Sequence, residues 1–124
     1  MSISTSNVEL CKKDLQKGEQ IIQVTGVCRP QNGGTINDII YFVILLPNGE
    51  KLEDSFKTGT NYSYGYPFSI SKFVKLDDDG EVKIYAKNKD QYNPLYMERY
   101  EVVIVPVTTV CNWLHILHAL NKTS

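Results

Sequence analysis

Apolar and polar positions alternate along most of this chain, and the alternation has the period of β-strands. The first clear case is Gln20 to Cys28, where Ile22, Val24 and Cys28 fall on one face. Phe68 to Leu76 places Phe68, Ile70, Val74 and Leu76 together, with Lys72 interrupting that face. Glu81 to Lys87 turns Val82, Ile84 and Ala86 inward, and Arg99 to Val107 is the last strand. Pro106 has no N–H to give a ladder, so it predicts that this strand ends at a sheet edge. Ile39 to Leu46 breaks the alternation with eight successive apolar residues. The run is β-branched and aromatic, which predicts a central strand covered on both faces.

Turn residues punctuate the strands. Asn48-Gly49 tolerates positive φ and predicts a hairpin from the central strand into Glu50 to Phe56. Asp77-Asp78-Asp79-Gly80 predicts a second hairpin. Arg29 to Gly34 and Lys57 to Pro67 read as loops. Val8 to Gln16 fits no single period, and residues 1–7 are rich in Ser and read as a flexible tail.

The period changes after Thr109. Val110, Trp113, Leu114, Leu117 and Leu120 recur at helical spacing. This predicts one helix over 109–120, packed on the sheet through Trp113 and Leu117. The fold class is therefore all-β: an antiparallel β-sandwich (Ig-like) or a compact barrel with one C-terminal α-helix. Residues 1–124 form a single domain, with strands over 19–108. The predicted core is Ile22, Val24, Phe42, Ile44, Phe68, Ile70, Val82, Ile84, Val102, Ile104, Trp113 and Leu117.

Composition narrows the function classes. The chain has 124 residues, 42% hydrophobic and 22% charged, which suits one folded domain with its own core. A net charge of -1 and the lack of a basic stripe argue against nucleic acid as a partner. The longest apolar run is far short of the roughly 20 residues of a membrane span. Three cysteines (Cys11, Cys28 and Cys111) leave at least one thiol unpaired. With a polar stretch from Met1 to Asp14, that favours the cytoplasm. Two glycosylation sequons occur, at Asn61 and Asn121.

The tyrosines are the most distinctive chemistry. Tyr62, Tyr64 and Tyr66 alternate through Asn61 to Phe68, and Tyr92, Tyr96 and Tyr100 lie in a second segment. Tyrosine combines a rigid apolar face with a hydroxyl, and mixed with Ser, Gly and Asn it is the material of binding loops. These six residues are the candidate partner-binding set, for a protein, peptide or glycan. The alternative for each ring is packing at the core edge or across strands.

Catalytic constellations are weaker. Cys111, His115 and His118, at offsets of four and seven, share one side of a helix and are candidate zinc ligands. Without a C-x-x-C partner the plainer reading is a wet helix face, so no metal and no cofactor are assigned. Glu53 and Asp54 point to opposite sides of a strand and make a poor acid–base couple. Asp77 to Asp79 lacks the spacing and terminal Glu of a calcium loop. Cys28 or Cys111 with a histidine would be the minimum nucleophilic pair, with no family signature around either.

Two local resemblances add expectations. Leu46 to Phe56, followed by Pro67-Phe68-Ser69-Ile70, resembles part of the FK506-binding prolyl isomerases. That resemblance implies a proline pocket near Asp54, Phe56 and Phe68, and no helix with a pocket-floor Trp follows Ile70 to match the family. Phe68 to Val107 resembles the second half of a cadherin-type sandwich, without its acidic calcium motifs. The expectation carried forward is a non-catalytic binding module, with a degenerate prolyl isomerase or a Cys/His zinc module as alternatives.

Overall fold

A computed structural model describes residues 1–31, 36–58 and 65–123, the side chains of 109–112 and 121–123 excepted. Eight strands form: β1 (Ser2–Ile3), β2 (Val8–Leu15), β3 (Gly18–Pro30), β4 (Ile39–Leu45), β5 (Lys51–Lys57), β6 (Tyr66–Leu76), β7 (Gly80–Asn88) and β8 (Leu95–Pro106). One helix, α1 (Val107–Thr123), follows. The strands make two four-stranded antiparallel sheets, ordered β1-β8-β3-β6 and β2-β7-β4-β5.

This is a β-sandwich, as the alternation predicts, but its sheet order is that of a jelly roll and not of an immunoglobulin-type domain. Every connection except β4–β5 carries the chain from one sheet to the other. The Asn48-Gly49 hairpin forms as read: the Leu46 and Glu50 backbones close it, and Gly49 adopts φ 88°. Asp77 to Gly80 is not a hairpin, because β6 and β7 lie in different sheets. It is a corner, where Gly80 adopts φ 151° and a Cβ would sit 2.9 Å from Pro47. The Asp79 carboxylate accepts from the Lys17 N–H at 2.6 Å, joining this corner to the β2–β3 corner.

The core lies between the sheets. Ile22, Val24, Phe42, Ile44, Phe68, Val82 and Ile84 are buried as expected, and Ile70, Val102 and Ile104 pack half-buried at its margin. Ile3, Ile36, Ile40, Leu95 and Met97 are also buried. Lys72 is explained by its place. It lies on edge strand β6, half-buried at the rim of the sandwich, where it and Asp54 of edge strand β5 border one small gap. A lysine stem can pack there and keep its ammonium in water.

Three readings change. The flexible tail at 1–7 is tied down at its start, since Ser2–Ile3 pairs with Tyr96 and Leu95 and Ile3 is buried. The ambiguous Val8–Leu15 is a strand, its period broken by a bulge between Glu9 and Cys11. The helix forms, but Trp113 and Leu117 are exposed and take no part in the core. The outer face of the neighbouring sheet is mixed, with Gln23, Ser69, Ser71 and Glu101 set among Ile21, Val27, Phe73, Val103 and Val105. No helix among the described residues is long and apolar enough to cross a membrane.

Candidate functional site

Jelly-roll order brings the ends of β1, β3, β5 and β7 and the starts of β2, β4, β6 and β8 to one end of the sandwich. Tyr66 at the start of β6, and Tyr92 and Tyr96 on either side of the start of β8, lie at this end. What holds it together is a buried carboxylate, Asp38, only 6% exposed. Its Oδ1 accepts from the Ile39 N–H at 2.7 Å and the Asp90 N–H at 3.2 Å. Its Oδ2 accepts from Asn88 Nδ2 at 2.8 Å. Buried charge is tolerated only when hydrogen-bonded, and here three donors converge on it.

The same residue anchors β5. The Thr58 N–H donates to the Asp38 carbonyl at 2.8 Å, and the Asp38 N–H donates to the Thr58 hydroxyl at 2.9 Å. Asn88 extends the network to the last connection. Its Nδ2 also lies 3.0 Å from the Asp90 carbonyl and 3.1 Å from the Asn93 carbonyl, so three acceptors surround two protons. The Tyr92 N–H donates to Asp90 Oδ1 at 2.9 Å, an Asx turn that fixes where Tyr92 projects.

A hollow of about 480 Å³ opens on this network. Asn37 and Asp38 form one side, Lys57 another, and Lys89, Asp90 and Gln91 the third. Tyr92 stands at its edge, 84% exposed. Carboxylates and amide oxygens supply acceptors, lysines and amide nitrogens supply donors, and the ring supplies a flat apolar face. Such an arrangement binds ligands that carry both donors and acceptors and an apolar surface.

The tyrosine set does not form one cluster. Tyr66 is half-buried and stacks on Phe56, their centroids 6.1 Å apart. Tyr96 lies half-buried under the Arg29 guanidinium at 4.9 Å. That guanidinium also donates to Glu98 at 2.7 Å, which holds the Glu98 carboxyl below the usual range. Tyr100 is half-buried against the core. Of the described tyrosines, Tyr92 is the one that borders the hollow. Tyr62 and Tyr64 lie outside the described residues, as does the side chain of Cys111. His115 and His118 are exposed on α1.

The isomerase resemblance does not extend to a pocket. Phe56 stacks on Phe68 at 5.2 Å and Phe42 lies 5.7 Å from Phe68, so the aromatic positions fill one another. The gap beside Asp54 measures about 10 Å³, room for a water and not a proline ring. β6 also runs on to Leu76 where the family has its helix.

Sequence reasoning missed Asp38, Asn88, Lys57, Lys89 and Asp90. Asp38 stands directly before the apolar run, and Asn88 ends a clean alternation. Both look like loop polarity until the topology brings them together. One further group is perturbed nearby. Burial pushes the Cys28 thiol up to about 12, and the negative charge of Asp38 adds to it. Cys11 and Cys28 are both free thiols.

No protein-family model matches the chain. No curated protein matches it either. Among solved structures it is similar to the CBM22-1 xylan-binding domain from Paenibacillus barcinonensis Xyn10C, at 10% identity and a TM-score of 0.46. The match covers 77% of this chain and 64% of that one, so this chain spans slightly less than two thirds of that structure.

Proposed function

We propose that this protein is a non-catalytic binding module that takes a polyhydroxylated ligand, a glycan, in the hollow at its loop end. The observation that carries the reading is the exposed Tyr92 ring beside Asn37, Lys57, Asp90 and Gln91 on a loop fixed by the Asp38–Asn88 network. A sugar presents hydroxyls that donate and accept, and a C–H face that packs on an aromatic ring. Planar amides and carboxylates meet adjacent hydroxyls in pairs, and ordering them beforehand reduces the entropy lost on binding.

The tyrosine-rich segment Asn61 to Phe68 belongs to the same proposal. It begins three residues after Thr58, which is locked to Asp38. Tyr62 and Tyr64 are proposed as further ligand contacts on the strength of their sequence alone, next to Tyr66 at the start of β6. Tyr96 and Tyr100 are half-buried outside the hollow and are not assigned as contacts.

A glycan microarray, followed by calorimetry with the best oligosaccharide, tests this. The wild-type protein binds a defined glycan class, and Tyr92→Ala weakens binding at least tenfold with an unchanged circular dichroism spectrum. The Tyr62/Tyr64→Ala pair weakens it further. No binding to any arrayed glycan overturns the proposal, and so does full affinity in Tyr92→Ala.

A further inference from the structure

Between residues 113 and 120 the C-terminal helix exposes its large apolar side chains. Trp113, Leu114, Ile116 and Leu117 are between 38% and 59% exposed, and Leu120 is exposed as well. Isolated exposed apolar residues are ordinary, but five within eight residues of one helix are not. Trp113, Leu117 and Leu120 stand at offsets of four and seven, the spacing of a coiled-coil seam, with Leu114 and Ile116 widening the stripe.

We infer that α1 packs against α1 of a second copy of this chain, through a seam centred on Trp113 and Leu117. Three features select that occupant. First, the stripe carries no charge, so a two-fold arrangement brings no like charges together. Second, residues 107–121 contain no Lys or Arg, whereas a helix lying on a membrane surface carries them on its polar side. Third, the area fits. With roughly 120 Å² for a Leu or Ile side chain and up to about 250 Å² for Trp, Trp113, Leu114, Ile116 and Leu117 alone present on the order of 300 Å² per chain. Homodimer interfaces are about two-thirds apolar, so two such stripes correspond to an interface of about 1,000 Å², the size at which specific association begins. The chain's own sheet offers an interrupted face beside the helix, where Gln23, Ser71 and Lys75 are set among Ile21, Phe73, Val103 and Val105.

Trp113 is the single tryptophan, so its fluorescence reports the seam directly. Sedimentation velocity and Trp emission are measured on the full chain over a hundredfold concentration range, for wild type and for Leu117→Glu. Circular dichroism confirms that the variant keeps its fold. The expected result is a monomer–dimer equilibrium in the wild type, with Trp113 emission shifting to the blue as the dimer forms. Leu117→Glu is then monomeric and red-shifted at every concentration. A wild type monomeric throughout overturns the inference. If its emission is blue at all concentrations, the helix is docked on its own sheet; if blue only with phosphatidylcholine vesicles, the face meets lipid. A dimer that survives Leu117→Glu overturns it too, because another surface then carries the association.

Discussion

Replacing Asp38 by alanine removes the carboxylate that ties the start of β4 to Asn88 and Asp90, while the backbone bonds between Asp38 and Thr58 remain. The carboxylate accepts from the Ile39 and Asp90 N–H groups and from Asn88 Nδ2. A hydrogen bond to a charged group contributes about 1.5–3 kcal/mol. The three do not add in full. Asn88 keeps two carbonyl acceptors for its two protons, and the half-buried Ile39 and Asp90 amides can reach water. A loss of about 3 kcal/mol is therefore expected. For a domain of this length that corresponds to a fall in Tm of roughly 10 °C.

Asp38→Asn separates charge from shape. Its oxygen still accepts from the two amides, while its NH₂ faces the Asn88 NH₂, so about half the loss is expected. Urea and thermal unfolding followed by circular dichroism measure both variants, and the Asp38→Ala protein should also lose glycan binding. A Tm within about 3 °C of wild type, less than 1 kcal/mol, would refute the argument that this network fixes the loop end.

The remaining predictions concern the core. In Gly26→Ala the new Cβ lies 3.0 Å from the Phe68 ring and 3.2 Å from the Glu98 carbonyl oxygen, with Phe68 held between Phe42 and Phe56. Overpacking of this kind costs about 1–3 kcal/mol, and an unchanged urea midpoint would contradict it. Cys28 is buried, with its thiol raised from 9.0 to about 12, so folding favours the protonated form. Its contribution to stability is complete below pH 9.0 and is lost as pH rises towards 12. The slope over that range is about 1.4 kcal/mol per pH unit. Cys28→Ala should flatten that part of the stability profile, and an equal slope in both proteins would argue against it. In the native protein, Cys28 should also react with a thiol reagent far more slowly than half-buried Cys11, the difference vanishing in urea.

How much of this was legible beforehand depended on range. Period-two alternation located β3, β6, β7 and β8 and most of the core, because burial on one face is a local signal. Asn48-Gly49 gave its hairpin for the same reason. The Asp77–Gly80 turn misled because a tight turn and a corner between sheets use the same residues, and only the pairing of β3 with β6 and β4 with β7 separates them. Helical spacing located α1, but spacing says only that one face is apolar. What covers that face depends on the polarity of a sheet surface assembled from β3, β6 and β8. The site itself was the least legible part. Asp38, Thr58 and the Asn88–Asp90 stretch are far apart in the chain, each ordinary where it stands, and the hydrogen bonds between them exist only after the jelly roll closes. Tyr92 was singled out for its chemistry, and the fold supplied its polar neighbours.

The central claim is that the loop end, and not another surface, takes a glycan. Amide chemical-shift mapping tests it most directly, with isotope-labelled protein and a panel of neutral oligosaccharides at millimolar concentration. The account predicts saturable shifts in Asp38, Ile39, Lys89, Asp90 and Tyr92, with β2 and α1 unmoved. Shifts confined to β8 and α1, or none with any oligosaccharide in the panel, would contradict it.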